Sequence, residues 1–208
     1  MSLVFFLLKA IGISLSGVMA PGPVTAATLA AGGRRKHAGL YIAAGHGLVE
    51  LPLVIFIMAG MQRWLEYRNV QIGIGVAGGL VLVWMGLQML QQSRQKDVVD
   101  DSGFAGSNPL WIGVALTGGN PYFLLWWISV GLVLAVQAWE YGILAFGLFA
   151  LIHWLCDLVW LEALSIASFK GTQIMGPRMQ RIVLIICGCA LLFFGALFLQ
   201  DAARNFFL

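Results

Sequence analysis

Six apolar stretches separated by short charge-bearing connections occupy most of the chain: Leu3–Gly33, Ala38–Gln62, Val70–Gln91, Pro109–Gln137, Tyr141–Phe169 and Arg181–Gln200. Each is long enough, at about 20 residues or more, to cross a bilayer's hydrocarbon core as a helix. Only helices and closed barrels satisfy their backbone polar groups in lipid, and runs of this length select the helix. A soluble fold is excluded by composition. Of 208 residues, 60% are hydrophobic and 10% charged, against roughly 45–50% and 25% in soluble domains. The expected fold is an all-α integral membrane protein, multi-pass in the inner or plasma membrane. The first stretch lacks a basic start and a small-residue cleavage pattern, so it reads as a retained span rather than a removed signal peptide.

The polar segment 92–108 carries Arg94, Lys96, Asp97, Asp100 and Asp101 and divides the chain into near-equal parts, 1–91 and 109–208. Each part holds three stretches. With six spans, Arg34, Arg35, Lys36, Arg94, Lys96, Lys170, Arg178 and Arg181 fall on one side. Arg63, Arg68, Arg204 and Lys9 fall on the other. The positive-inside rule then places both termini outside. The net charge of +3 arises in these connections. It speaks to orientation, and no nucleic-acid footprint is present.

Two stretches carry breaks at corresponding places. A straight helix over Leu3–Gly33 would be about 46 Å long, well beyond the ~30 Å hydrocarbon core. Pro21-Gly22-Pro23 interrupts it by removing two amide donors around a flexible glycine. In the fourth stretch Gly118-Gly119-Asn120-Pro121 does the same, with Asn120 a favoured cap and Pro121 a favoured first helical residue. The next stretch of each half then carries a histidine followed four residues later by a carboxylate: His46 with Glu50, and His153 with Asp157. Spacing four puts both side chains on one helix face. The expectation is two inverted three-helix repeats, with broken first and fourth helices and both His/carboxylate pairs converging on one cavity. Paired interruptions of this kind point to a transporter site.

A charged group in mid-span costs about 2.5–3.5 kcal/mol on insertion scales, so Glu50 and Asp157 are candidates for binding a solute or coupling a proton. Free amides at half-helices starting at Pro23 and Pro121 suit a carboxylate, and the two acids suit an ammonium group. A zwitterionic amino acid satisfies both. Pro52 reads as a kink, Glu162 as interfacial, and Trp154 as a packing residue that could wall a cavity. Gly73, Gly75, Gly78, Gly79 and Gly86 form a small-residue face for close helix contact. Cys156, Cys187 and Cys189 read as small buried hydrophobes. No cofactor and no resident metal are expected, and a homo-oligomer is compatible with the sequence.

The chain resembles the lysine exporter (LysE/RhtB) family of amino-acid exporters. The resemblance rests on Met19-Ala-Pro-Gly-Pro23, Gly32-Gly-Arg-Arg-Lys-His-Ala-Gly39, Gly78-Gly-Leu-Val-Leu-Val-Trp-Met-Gly86, Leu116-Thr-Gly-Gly-Asn-Pro121 and Gly176-Pro-Arg178. It implies a six-segment exporter moving small solutes, typically amino acids, on an ion gradient. It also implies a substrate-binding or proton-coupling role for Glu50, where some members carry an acid. His46 and the His153/Asp157 pair stand outside that pattern. Related branches move divalent metals, so a metal exporter using His/carboxylate ligands is the alternative. The long linker lacks the histidines usual in zinc or nickel exporters. An intramembrane enzyme lacks a convincing nucleophile, and a non-transporting assembly protein would not need buried charges at paired breaks.

Overall fold

The computed structural model describes residues 2–19, 22–61, 67–94 and 107–207, and every regular element among them is helical. Pro21, Arg63, Lys96, Asp97, Asp100 and Asp101 lie outside the described residues. Helix α1 spans Leu3–Val18, begun by the Ser2 side chain accepting from the Phe5 amide. Helix α2 spans Pro23–Gly32, with its fixed-φ proline at the first position and Gly22 extended before it. The two form one apolar pair bent by 76°. The expected break in the first stretch is therefore a change of direction.

Helix α3 spans Ala38–Phe56 with Pro52 inside it, and runs into a π-helical turn, Ile57–Met61. Gly60 ends this turn at φ 81, a left-handed position that suits a residue without Cβ. Helix α4 spans Arg68–Arg94. The fourth stretch is divided: α5 at Pro109–Gly118, α6 at Pro121–Trp126, a π-helical turn at Trp127–Gly131, and α7 at Leu132–Glu140. Asn108 and Asn120 each cap a helix that opens on proline, and these restarts divide the segment.

Helical backbone, taken together as α8, extends from Ile143 to Phe207. If straight, it would hold Asp157 and Leu197 about 60 Å apart, yet both line one cavity. The run therefore doubles back between two apolar lengths, α8a at Ile143–Ile174 and α8b at Arg181–Phe206. Among the described residues, four helices can cross a membrane by length and composition: Ala38–Gly60, Arg68–Arg94, α8a and α8b. The bent pair α1/α2 makes a fifth. The sixth expected span, Pro109–Gln137, is the interrupted α5–α7 segment, whose longest pieces are too short to span alone.

Helix contacts are close because glycines face backbone. A Cβ at Gly45 would strike the Leu110 carbonyl, and one at Gly113 would strike that of Ile42, so α3 and α5 touch reciprocally. On α4, Gly75, Gly78, Gly79 and Gly86 all face a neighbour: Gly78 meets the Gly119 carbonyl, and the other three meet α8b. Gly73, expected on the same face, has nothing within 4 Å of such a Cβ. Two apolar cores result. One gathers Ala27, Ala31, Ile42, Leu116, Leu161 and Leu191. The other gathers Phe6, Val54, Trp127, Leu134, Ala138 and Phe149.

One end of the bundle is clasped by α8a. Ser165 donates to the Lys36 carbonyl (3.0 Å), Ser168 to Leu29 (2.7 Å) and Thr172 to Gly33 (2.8 Å). Glu162, read from sequence as interfacial, holds this end too. Its carboxylate meets His37 Nδ1 and accepts from the Leu40 amide at 3.1 Å. It thereby caps α3, whose own N-cap residue, His37, gives the helix no side-chain capping bond. Glu162→Ala is expected to lower the melting temperature in detergent by roughly 2–6 °C, the worth of a lost cap. A melt unchanged from wild type would remove the clasp from the stability of the fold.

Candidate functional site

Helices α3 and α8a each carry their histidine and carboxylate one turn apart, and their packing brings all four residues into one buried cluster. His46, Glu50, His153 and Asp157 are 7%, 1%, 4% and 7% exposed. Glu50 is shared between the halves. Its Oε1 lies 3.2 Å from His46 Nε2, 3.1 Å from His153 Nε2, and 3.2 Å from the Trp127 indole nitrogen that donates to it. Asp157 stands further off, with Oδ1 at 3.7 Å from His46 Nε2 and Oδ2 at 3.8 Å from His153 Nε2. Those lengths are too long for hydrogen bonds.

The other nitrogens of the two rings are wired across the halves. His46 Nδ1 meets Thr117 Oγ1 on α5 at 2.8 Å, and His153 Nδ1 meets Ser14 Oγ on α1 at 2.7 Å. Each histidine thus reaches the broken segment of the opposite half. A hydroxyl can donate or accept. With Nε2 donating to Glu50, Nδ1 accepts from the hydroxyl when the ring is neutral and donates to it when the ring is protonated. The scaffold supports both states without moving the imidazole.

Aromatic rings fix these imidazoles. Trp126 stacks on His153 at 5.0 Å between centroids, Trp127 meets that ring edge-on at 5.1 Å, and Phe123 meets His46 edge-on at 5.1 Å. Trp127 opens the π-helical turn Trp127–Gly131. Turns of this kind are frequent at functional sites because they re-aim side chains.

The cluster borders a cavity of about 440 Å³, within the ~300–1,000 Å³ range of small-ligand sites. Two buried carboxylate oxygens, Glu50 Oε2 and Asp157 Oδ2, have no hydrogen-bond partner among the described residues. A buried acceptor left bare costs about 1–3 kcal/mol or more when charged, so these atoms call for a donor from outside the chain.

The two restarted helices differ at this cavity. Asn120 Oδ1 accepts from the Tyr122 and Phe123 amides at 3.1 and 3.4 Å, so the α6 N-terminus is already occupied. This corrects the expectation of free amides at Pro121. The cap was legible in the sequence, and a cap consumes the donors that a ligand would need. At α2 the N-cap is Gly22, which has no side chain to cap the first turn; Gly22, Pro23, Val24 and Thr25 line the cavity.

The structure thus brings together His46, Glu50, His153, Asp157, Gly22, Pro23 and Asn120 around one cavity, with Pro121 opening α6 beside it. Trp154 does not line that cavity. It packs on Gly47 and donates to the Ala43 carbonyl at 2.9 Å. Sequence reasoning missed Ser14, took Thr117 only as part of the helix break, and gave Trp126 and Trp127 no role beyond interface or packing. The two hydroxyl residues carried a usable signal, since each precedes a break in a stretch otherwise poor in polar groups. His46, Glu50 and Asp157 also offer ligand atoms within 4.8 Å of one another, a set a divalent cation could use.

The LysE type translocator family model matches residues 15–202. "Putative amino acid efflux protein YcgF" of Bacillus subtilis is 26% identical over 193 residues, covering 90% of this chain and 91% of that protein. "Chemotactic transduction protein ChpE" of Pseudomonas aeruginosa is 27% identical over 121 residues, and there the match spans 56% of this chain and 59% of that protein. No solved structure matches the chain. The apolar helices and the family match together make it a multi-pass protein of the plasma membrane. With nearly its whole length matched, the chain belongs to the LysE type translocator family.

Proposed function

We propose that this translocator exports amino acids, holding the substrate as a zwitterion in the cavity between its two halves. The observation that carries the reading is the pair of buried, unpartnered carboxylate oxygens, Glu50 Oε2 and Asp157 Oδ2. Their residues line one cavity with the N-terminus of α2, whose N-cap is a glycine. An ammonium group offers three donors to the acids. A carboxylate suits the positive end of α2. The relative YcgF bears a name of the same kind.

Proton coupling follows from the cluster's chemistry. Histidine is the side chain that exchanges protons between pH 5 and 8, and both rings contact Glu50. When an ammonium group leaves Glu50 and Asp157, protons on the histidines replace its charge. Entry of one cation therefore displaces the other. The two-fold inverted arrangement and the termini-outside orientation complete the proposal, the former supported by the crosswise bonds His46–Thr117 and His153–Ser14.

A divalent cation is the second reading, supported by the His46, Glu50 and Asp157 donor set. The cavity favours the organic solute, because an ion needs ligands at about 2.0–2.2 Å and not a chamber of about 440 Å³ walled by aromatic rings. Proteoliposomes holding a labelled amino-acid mixture decide between them. Amino-acid efflux should appear and should accelerate when a pH gradient is imposed. Zinc flux without amino-acid flux would reverse the choice. Amino-acid flux indifferent to the gradient would remove the coupling alone.

A further inference from the structure

We infer that the cavity selects amino acids with a large, uncharged, apolar side chain. This rests on the amino-acid reading above and adds the chemistry of the third substituent. With the ammonium at Glu50/Asp157 and the carboxylate at α2, most of the remaining wall is apolar and includes Tyr122, Phe123, Trp126, Phe194, Leu197 and Leu161, and its one amide, Asn120, is engaged in capping α6. These come from α6 and both lengths of α8, so the surface is built by tertiary packing.

Among the described residues lining the cavity, the ionisable carboxylates and imidazoles all belong to the one cluster. Glu50 and Asp157 both lie against His46, at 3.2 and 3.7 Å, so the two acids form a single anionic pole. A lysine side chain would carry a second ammonium away from that pole, onto a wall whose described lining residues hold no further acid, and a buried charge without a partner is heavily penalised. The aromatic faces do not offer a free substitute: Trp126 stacks on His153, Phe123 meets His46, and Tyr122 packs edge-on against Phe198 at 5.2 Å and hydrogen-bonds Asp201. A leucine or phenylalanine side chain fills this wall and gains from every apolar contact. A small side chain leaves it empty.

The full-length protein in proteoliposomes, preloaded separately with labelled alanine, threonine, lysine, leucine or phenylalanine, tests the inference. Leucine and phenylalanine should leave roughly tenfold or more faster than alanine or lysine at equal subsaturating load. Phe194→Ala should narrow the ratio of phenylalanine to alanine. Binding is read independently by thermal melting in detergent, where leucine should raise the midpoint and lysine should not. Lysine or threonine leaving fastest would overturn the selectivity while amino-acid export stood. A preparation that melts cooperatively yet moves none of the five, or moves only zinc in a parallel arm, would overturn both.

Discussion

Glu50→Gln should reduce amino-acid efflux roughly tenfold to a hundredfold while leaving the protein folded. The expectation comes from the two oxygens of one carboxylate. Oε1 takes donors from His46, His153 and Trp127, and the amide oxygen of glutamine can replace it in that role. Oε2 is the buried oxygen that has no partner among the described residues, on a residue that lines the cavity, and glutamine puts an NH2 group there. That group has no charge and two donors of its own, so it repels an ammonium. Losing a charge-assisted hydrogen bond is worth about 1.5–3 kcal/mol, which gives the stated range. Asp157→Asn should act in the same direction. Its contacts to the histidines are longer, so the fold depends on it less. Efflux at the wild-type rate in both variants would end the proposed role of the cluster.

The second large effect concerns the fold. Gly73 and Gly78 lie five residues apart on α4, and the sequence assigns both to one packing face. The structure separates them. A Cβ at Gly78 would collide with the Gly119 carbonyl, at the break between α5 and α6, while one at Gly73 meets nothing within 4 Å. The colliding atom is backbone, so no rotamer change relieves it, and overpacking of this kind costs about 1–3 kcal/mol or more. Gly78→Ala should therefore lower the melting temperature in detergent by roughly 4–10 °C, at about 2–4 °C per kcal/mol for a chain of this size. Gly73→Ala should be neutral or stabilising by up to about 1 kcal/mol, the helix-propensity gain over glycine. Equal melts for the two variants would show that α4 does not approach the break as described.

Because Gly119 neighbours Asn120, the same contact bears on transport. Helix α4 props the restart that sends Tyr122, Phe123 and Trp126 toward the cavity. A Gly78 variant that still folds should therefore lose substrate discrimination before it loses efflux. Glu162 invites a different caution. An acid five residues beyond Asp157 looks like a neutral reference for mutating the cluster. Its bonds to His37 and to the α3 amide at Leu40 make it part of the clasp instead.

Much of this protein was legible in its sequence because the decisive signals are local. Apolar runs of span length demand helices, since lipid offers no partner for an unpaired backbone group. Proline and glycine at 21–23 and 118–121 break those helices by removing donors and relaxing φ. A spacing of four puts His46 over Glu50 and His153 over Asp157 whatever surrounds them. None of these depends on how the helices are rotated against one another. The rest did. Ser14 with His153, Thr117 with His46, Trp127 with Glu50 and Glu162 with His37 join residues at least 71 positions apart. Such partners are set by the approach and rotation of whole helices, which glycines packed on backbone decide jointly. The sequence by itself determined a helical membrane protein with two breaks and two His/carboxylate pairs. Tertiary packing alone made Glu50 the acid shared by both histidines, left one of its oxygens buried without a partner among the described residues, and brought an asparagine-capped and a glycine-led helix terminus to one cavity.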